Sequence, residues 1–164
     1  MGISDYVRGL RGLVGTELLF LPSVACLIRD GDGRLLLVRH VEGRWMLPGG
    51  VVDPGERPAD AARRECWEEA GIVVEPTRIA GVYGGPEHHT TYANGDNAAW
   101  VVTVFDAEIR DGEPPPHAHD DETQDVGWFG PDELEALEMG DATRATLRRL
   151  LDGTPFVAAT WQPE

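Results

Sequence analysis

Apolar residues recur along this chain with two different spacings. From Ser4 to Val14, Tyr6, Val7, Leu10, Leu13 and Val14 fall on one helical stripe and Arg8 and Arg11 lie off it, which predicts a short amphipathic helix within residues 1–16, closed by Gly15. Its stripe needs a cover, either its own domain or a second copy in a homodimer. Strand-like runs follow at Leu18 to Ile28 (interrupted by Pro22), Arg34 to His40 and Met46 to Val52, with an Asp30-Gly31-Asp32-Gly33 turn between the first two. Arg78 to Tyr83, Ala98 to Ile109 and Asp125 to Phe129 read as further strands, and Asn94-Gly95 as a tight turn. The longest predicted helix, Pro58 to Ala70, lies between the two groups of strands. Two more helices are expected within residues 131–152, from Pro131 to Glu138 and from Asp141 to Leu151. Strands on both sides of a central helix, with helices at both ends, predict an α/β (α+β) fold in which a mixed β-sheet is covered on two faces. Residues 112–121, with three consecutive prolines from Pro114, read as a long loop, functional or disordered.

Length and charge narrow the function. A chain of 164 residues that is 41% hydrophobic can fill one core, so a single domain over residues 1–164 is expected. The formal charge of −15 repels nucleic-acid polymers and anionic membranes. A small phosphate-bearing ligand then needs a local positive counterweight, supplied by a divalent metal or by clustered arginines. Cys26 and Cys66 form neither a CxxC pair nor a zinc spacing, and both read as buried small hydrophobes. No stretch approaches about 18 apolar residues, so a cytoplasmic protein is expected.

The chemistry is concentrated between Leu47 and Ile72. Pro58 suits a first helical position, Asp60 the positive helix start, and Gly71 a left-handed terminator. At i, i+3 and i+4, Glu65, Glu68 and Glu69 share one face of that helix. Two such charges about 6 Å apart repel by roughly 3 kcal/mol at an effective dielectric of about 20. A divalent cation reverses that penalty, and oxygen-only donors select Mg²⁺ or Mn²⁺ over zinc. The competing reading is a solvated acidic face answered by Arg63 and Arg64. Ala59, Ala62, Cys66 and Ala70 make the neighbouring apolar stripe, so small side chains bring the acidic edge close to the sheet. Gly49 and Gly50 leave a backbone that can approach a metal or phosphate.

The full spacing is Gly50, five residues, Glu56, seven residues, Arg64-Glu65, an apolar residue, any residue, Glu68-Glu69, any residue, Gly71 and an apolar residue. It resembles the Nudix box over residues 49–72, with Cys66 where the family usually has Ile, Leu or Val. The resemblance implies an α/β/α sandwich and hydrolysis of a pyrophosphate bond, in a nucleoside triphosphate or in a nucleoside diphosphate joined to another group such as ADP-ribose. It implies that the Gly49 carbonyl and the side chains of Glu65, Glu68 and Glu69 bind Mg²⁺ or Mn²⁺, with Gly50, Glu56 and Arg64 in support. Family members often recruit one more acidic residue before a late strand, and Glu122 occupies a comparable place, with Asp120 and Asp121 competing.

Specificity is expected from the loop-like segment Gly84 to Tyr92, where His88 and His89 are candidates for phosphate contacts and Tyr92 for base stacking. Pro86 lies 14 residues beyond Ile72, near the spacing seen in ADP-ribose hydrolases of the family. Trp67 points away from the carboxylates and is expected to be covered, by the N-terminal helix or by a second subunit. The alternatives are a same-fold prenyl diphosphate isomerase and a catalytically silent nucleotide-sensing module.

Overall fold

The computed structural model describes residues 4–162. Helix α1 (Asp5–Val14) is capped by Ser4, whose Oγ accepts from the Val7 amide. Then come β1 (Leu19–Ile28), β2 (Leu35–His40), β3 (Trp45–Met46), α2 (Pro58–Ala70), β4 (Val74–Tyr83), β5 (His89–Thr91), β6 (Asn97–Ile109), β7 (Thr123–Phe129) and α3 (Asp141–Leu151). Single 3₁₀ segments occupy Pro86–His88 and Pro131–Ala136.

One sheet has the order β1-β6-β4, with β5 also paired to β6; the other is β3-β2-β7. Among the described residues only β1 and β6 pair in parallel, so the strand arrangement is mixed, as the sequence pattern predicts. The alternation of side chains shows why both faces need cover. Val24, Cys26 and Ile28 of β1 and Leu36 and Val38 of β2 pack with Ala61, Ala62, Cys66 and Ala70 of α2. Their neighbours Leu27, Leu35 and Leu37 pack with Leu147 and Leu150 of α3 and with Leu134. A strand buried on both sides carries an unbroken apolar run, which is the Leu35 to Val38 sequence.

Four expectations are corrected. Met46 to Val52 is not a strand beyond Met46. Pro48 has no amide hydrogen and the two glycines bend the chain, which instead lays the carbonyls of Pro48 and Gly50 against the amides of Cys26 and Val24. The first expected C-terminal helix, Pro131 to Glu138, is a six-residue 3₁₀ helix that ends at Ala136, with Leu134 its one buried residue. The segment read as a loop contains β5, which forms a hairpin with β6 through Asn94-Gly95, Gly95 having a left-handed φ of 87°. On α1 only Val7 is buried, whereas Leu13 is 84% exposed. That helix is fastened through polar contacts: Arg11 donates to the carbonyl of Asn97 at 2.6 Å and pairs with Asp96.

The long loop at 112–121 lies along the end of α2. The amides of His117 and His119 donate to the carbonyls of Ala70 and Glu69, and Glu113 accepts from the Val73 amide. Those contacts satisfy carbonyls that the helix end would otherwise leave open. No helix among the described residues is long and apolar enough to cross a membrane.

Candidate active site

The site is built where α2 meets the turn after β3. Pro58 opens the helix and Gly71, at φ 65°, closes it, its amide donating back to carbonyls of the last turn. Because Ala62 and Cys66 are fully buried, the helix sits low on the sheet and its acidic edge meets the glycine turn. A Cβ on Gly49 would lie 2.2 Å from the Val24 carbonyl oxygen, so only glycine lets this turn lie so close to β1.

Arg64 is the hub. Its Nε and Nη2 hold both oxygens of Glu56 at 2.9 and 3.0 Å, Nη2 also donates to the Val51 carbonyl, and Nη1 reaches Glu65 at 2.6 Å and Glu68 at 3.0 Å. One guanidinium therefore fixes the loop acid and draws two carboxylates of the helix edge to a single nitrogen. Arg63 turns away and pairs with Glu75. The acidic edge is thus not a solvated face. Glu69 is only 4% exposed, with Oε1 2.8 Å from His40 Nε2 and Oε2 accepting from the Gly49 amide at 2.9 Å.

Charge and burial compete at these groups. Burial pushes the Glu65 carboxyl up to about 7, against the opposing pull of Arg64. Burial likewise raises Glu69, and the hydrogen bond to Glu69 raises His40. Glu56 is held below the usual carboxylate range, chiefly by its bonds from Arg64.

Glu122 sits at the entry to β7 beside the end of β2, its carbonyl accepting from the Val41 amide, and its charge acts on His40. It lies on the same side as the His40–Glu69 pair, as does Asp120, whose charge acts on both members. The other candidates are elsewhere. His88 is buried, its Nε2 3.1 Å from the Thr146 hydroxyl and its ring parallel to Tyr83, a packing role that replaces the expected phosphate contact. His89 is exposed on β5, and Tyr92 sits at the hairpin turn with its amide on Asp96. Among the described residues, no hydrogen bond or ion pair joins any of these three to the α2 carboxylates. Trp67 is 51% exposed, with the His119 ring 4.9 Å away in an edge-to-face arrangement, and α1 is tied to the β5–β6 hairpin, so the expected cover is not seen. The residue that sequence reasoning missed is His40. Its signal was a polar imidazole closing an apolar strand whose alternate residues face α2.

The donor set suits a hard divalent ion. It consists of carboxylates, two of which already converge on a cationic nitrogen, and the Glu65 carboxylate fills a recess that a Cβ on Gly50 would occupy. Among the described residues no three acidic, cysteine or histidine side chains gather around one point; Glu65 and Glu68 pair with Arg64, and Glu69 with His40.

The architecture defines a class: two sheets, one of them mixed, between helices, with a glycine turn and a carboxylate-edged helix forming one polar rim. Within that class the chain belongs to the Nudix family, whose domain matches residues 19–151. It is similar to a MutT-like protein of Streptomyces ambofaciens, 36% identical over 132 residues that cover 80% of this chain and 77% of the relative. It is also similar to the nucleoside triphosphatase NudI of Escherichia coli, 33% identical over 135 residues, 77% of this chain and 94% of the relative. Among solved structures, a MutT Nudix hydrolase from Burkholderia pseudomallei superposes with a TM-score of 0.62 at 31% identity, covering 79% of this chain and 97% of that one. The enzyme is a pyrophosphohydrolase of this family.

Proposed function

We propose that this chain hydrolyses a pyrophosphate bond in a nucleoside triphosphate or in a nucleoside diphosphate linked to another moiety, with Mg²⁺ or Mn²⁺ held by Glu65, Glu68, Glu69 and the Gly49 carbonyl. The observation that carries this reading is the convergence of Glu65 and Glu68 on one Arg64 nitrogen beside the glycine turn. It is an anionic rim with a cation-sized demand for positive charge in a protein of net charge −15. The similarity to NudI across most of that protein favours a nucleoside triphosphate among the substrates.

When bound, the metal neutralises the phosphates and lowers the pKa of a water. The chain's own residues do the rest. Arg64 fixes Glu56 and so the loop, and it keeps the helix-edge carboxylates aligned. One carboxylate accepts a proton as the water oxygen bonds to phosphorus, the bridging P–O bond breaks, and the bridging oxygen leaves with the second phosphate. Glu122, with Asp120 beside it, supplies further acid on this side of the site.

A panel of ordinary and oxidised nucleoside triphosphates, ADP-ribose, dinucleoside polyphosphates and sugar nucleotides, run with Mg²⁺ and with Mn²⁺, tests the proposal. Turnover that releases pyrophosphate or two monophosphates, and that Glu68→Gln abolishes, is expected. Binding with no product across the panel would instead support the sensing module.

A further inference from the structure

We infer that His40 is a positioning residue that holds the Glu69 carboxylate in its working orientation. The inference rests on the reading of Glu69 as a working carboxylate, and three features of the fold lead to it. First, His40 continues the β2 alternation: Leu36 and Val38 face α2, and His40 follows two residues later on the same side. Second, the register of β2 against β7 breaks between Arg39, opposite Asp125, and His40, opposite Thr123. The extra residue, Gln124, lies on β7, so β2 runs on unbroken and His40 keeps the side that its alternation gives it. Third, the imidazole meets a buried group. Its Nε2 lies 2.8 Å from Glu69 Oε1, while the Gly49 amide holds Oε2 at 2.9 Å.

An ionised carboxylate only accepts hydrogen bonds, so Nε2 carries the hydrogen in this pair. Two donors from two different segments, the end of β2 and the glycine turn, fix the plane of the carboxylate. Each oxygen accepts one of these bonds and keeps a further lone pair for another partner. Gly49 contributes through its backbone, which a side-chain change leaves in place. Among the described residues, His40 is therefore the side chain whose loss frees one end of Glu69. Without that partner the carboxylate is held at one oxygen only, by the Gly49 amide, and can rotate out of its plane.

The test compares wild type, His40→Ala, His40→Gln, Glu69→Gln and the His40→Ala/Glu69→Gln double variant. Mn²⁺ affinity is read by electron paramagnetic resonance, and kcat and KM are measured on whichever nucleotide of the panel turns over. His40→Ala is expected to weaken Mn²⁺ binding and to lower kcat by about 10- to 100-fold, with little change in KM. Gln can place an amide N–H near the position of Nε2. His40→Gln is therefore expected to recover Mn²⁺ affinity to within about fivefold, the remainder reflecting a weaker donor. In the Glu69→Gln background, His40→Ala is expected to add no further loss of Mn²⁺ affinity, since the two act as one unit. Wild-type affinity and kcat in His40→Ala, equal losses in His40→Ala and His40→Gln, or full additivity with Glu69→Gln would each overturn the inference. Glu69→Gln with unchanged Mn²⁺ affinity and kcat overturns the reading of Glu69 itself and the inference with it. Absence of turnover in the wild type counts against the proposed function alone, and the Mn²⁺ comparison then decides the role of His40.

Discussion

The carboxylate of Glu65 rests in the space where Gly50 lacks a side chain: a Cβ on Gly50 would lie 2.5 Å from Glu65 Oε1. Gly49, its neighbour, meets only backbone, at 2.2 Å from the Val24 oxygen and 2.7 Å from the Ala25 Cα. The two glycines therefore answer different demands. Gly50→Ala displaces the far end of a side chain and is expected to lower turnover by at least about tenfold while costing under about 1 kcal/mol of stability. Gly49→Ala pushes against β1 itself and is expected to destabilise the fold by about 3 kcal/mol or more. Urea denaturation beside initial rates separates the two.

Arg64 answers three carboxylates, and its own side chain is 27% exposed. Removing it leaves Glu56, Glu65 and Glu68 mutually repulsive and partly buried. Arg64→Ala is expected to cost about 3 kcal/mol, as for other half-buried networks that lose one partner. Arg64→Lys keeps the charge and loses the fork, so it is expected to lose about half as much stability and most of the activity. Chemical denaturation curves and turnover of both variants check this.

Acidity acts on the metal-free protein in a defined direction. The Glu65 carboxyl is raised from 4.5 to about 7 in the fold, so between these values the folded protein binds more protons than the unfolded chain. Stability therefore falls as pH rises through that window, by at most about 3 kcal/mol from this group. His40, raised from 6.5, contributes with the same sign, its stabilisation being lost as pH rises through its folded value. His88, which burial lowers, contributes with the opposite sign in wild type and in Glu65→Gln alike, so the expected result is comparative. In the presence of a chelator the melting temperature falls more, or rises less, from pH 5 to pH 8 in wild type than in Glu65→Gln. A pH dependence that is the same in wild type and in Glu65→Gln contradicts the burial of Glu65.

Added Mn²⁺ is expected to raise the melting temperature more at pH 8 than at pH 5. Ionised carboxylates bind the ion and protonated ones do not. Glu65→Gln and Glu68→Gln are each expected to remove most of that gain. Thermal scans with and without Mn²⁺ provide the measurement.

Much of this site is legible in residue spacing. Pro58 and Gly71 bound α2 where the sequence places it, and the i, i+3, i+4 glutamates share an edge because helical geometry leaves no choice. The pairing of Glu56 with Arg64, eight residues apart, follows the family resemblance and is present as a bidentate contact. What periodicity cannot carry is contact between distant segments. His40 meets Glu69 across 29 positions, a contact that no local spacing encodes. His88 misled for the same reason, since a histidine beside glycines and threonines reads as loop surface until α3 folds over it. The stripe of α1 also promised burial, yet polar anchoring by Arg11 to Asn97 and Asp96 secures the helix with most of that stripe in solvent.

The most direct test of the account is calorimetric titration of Mn²⁺ into wild type and into the Glu65→Gln/Glu68→Gln double variant, each in the presence of a nucleotide whose bridging oxygen is replaced by methylene. Saturable uptake by wild type that the double variant loses is the expected result. Equal uptake by both proteins, or none by either, would contradict a catalytic cation held on the carboxylate edge of α2.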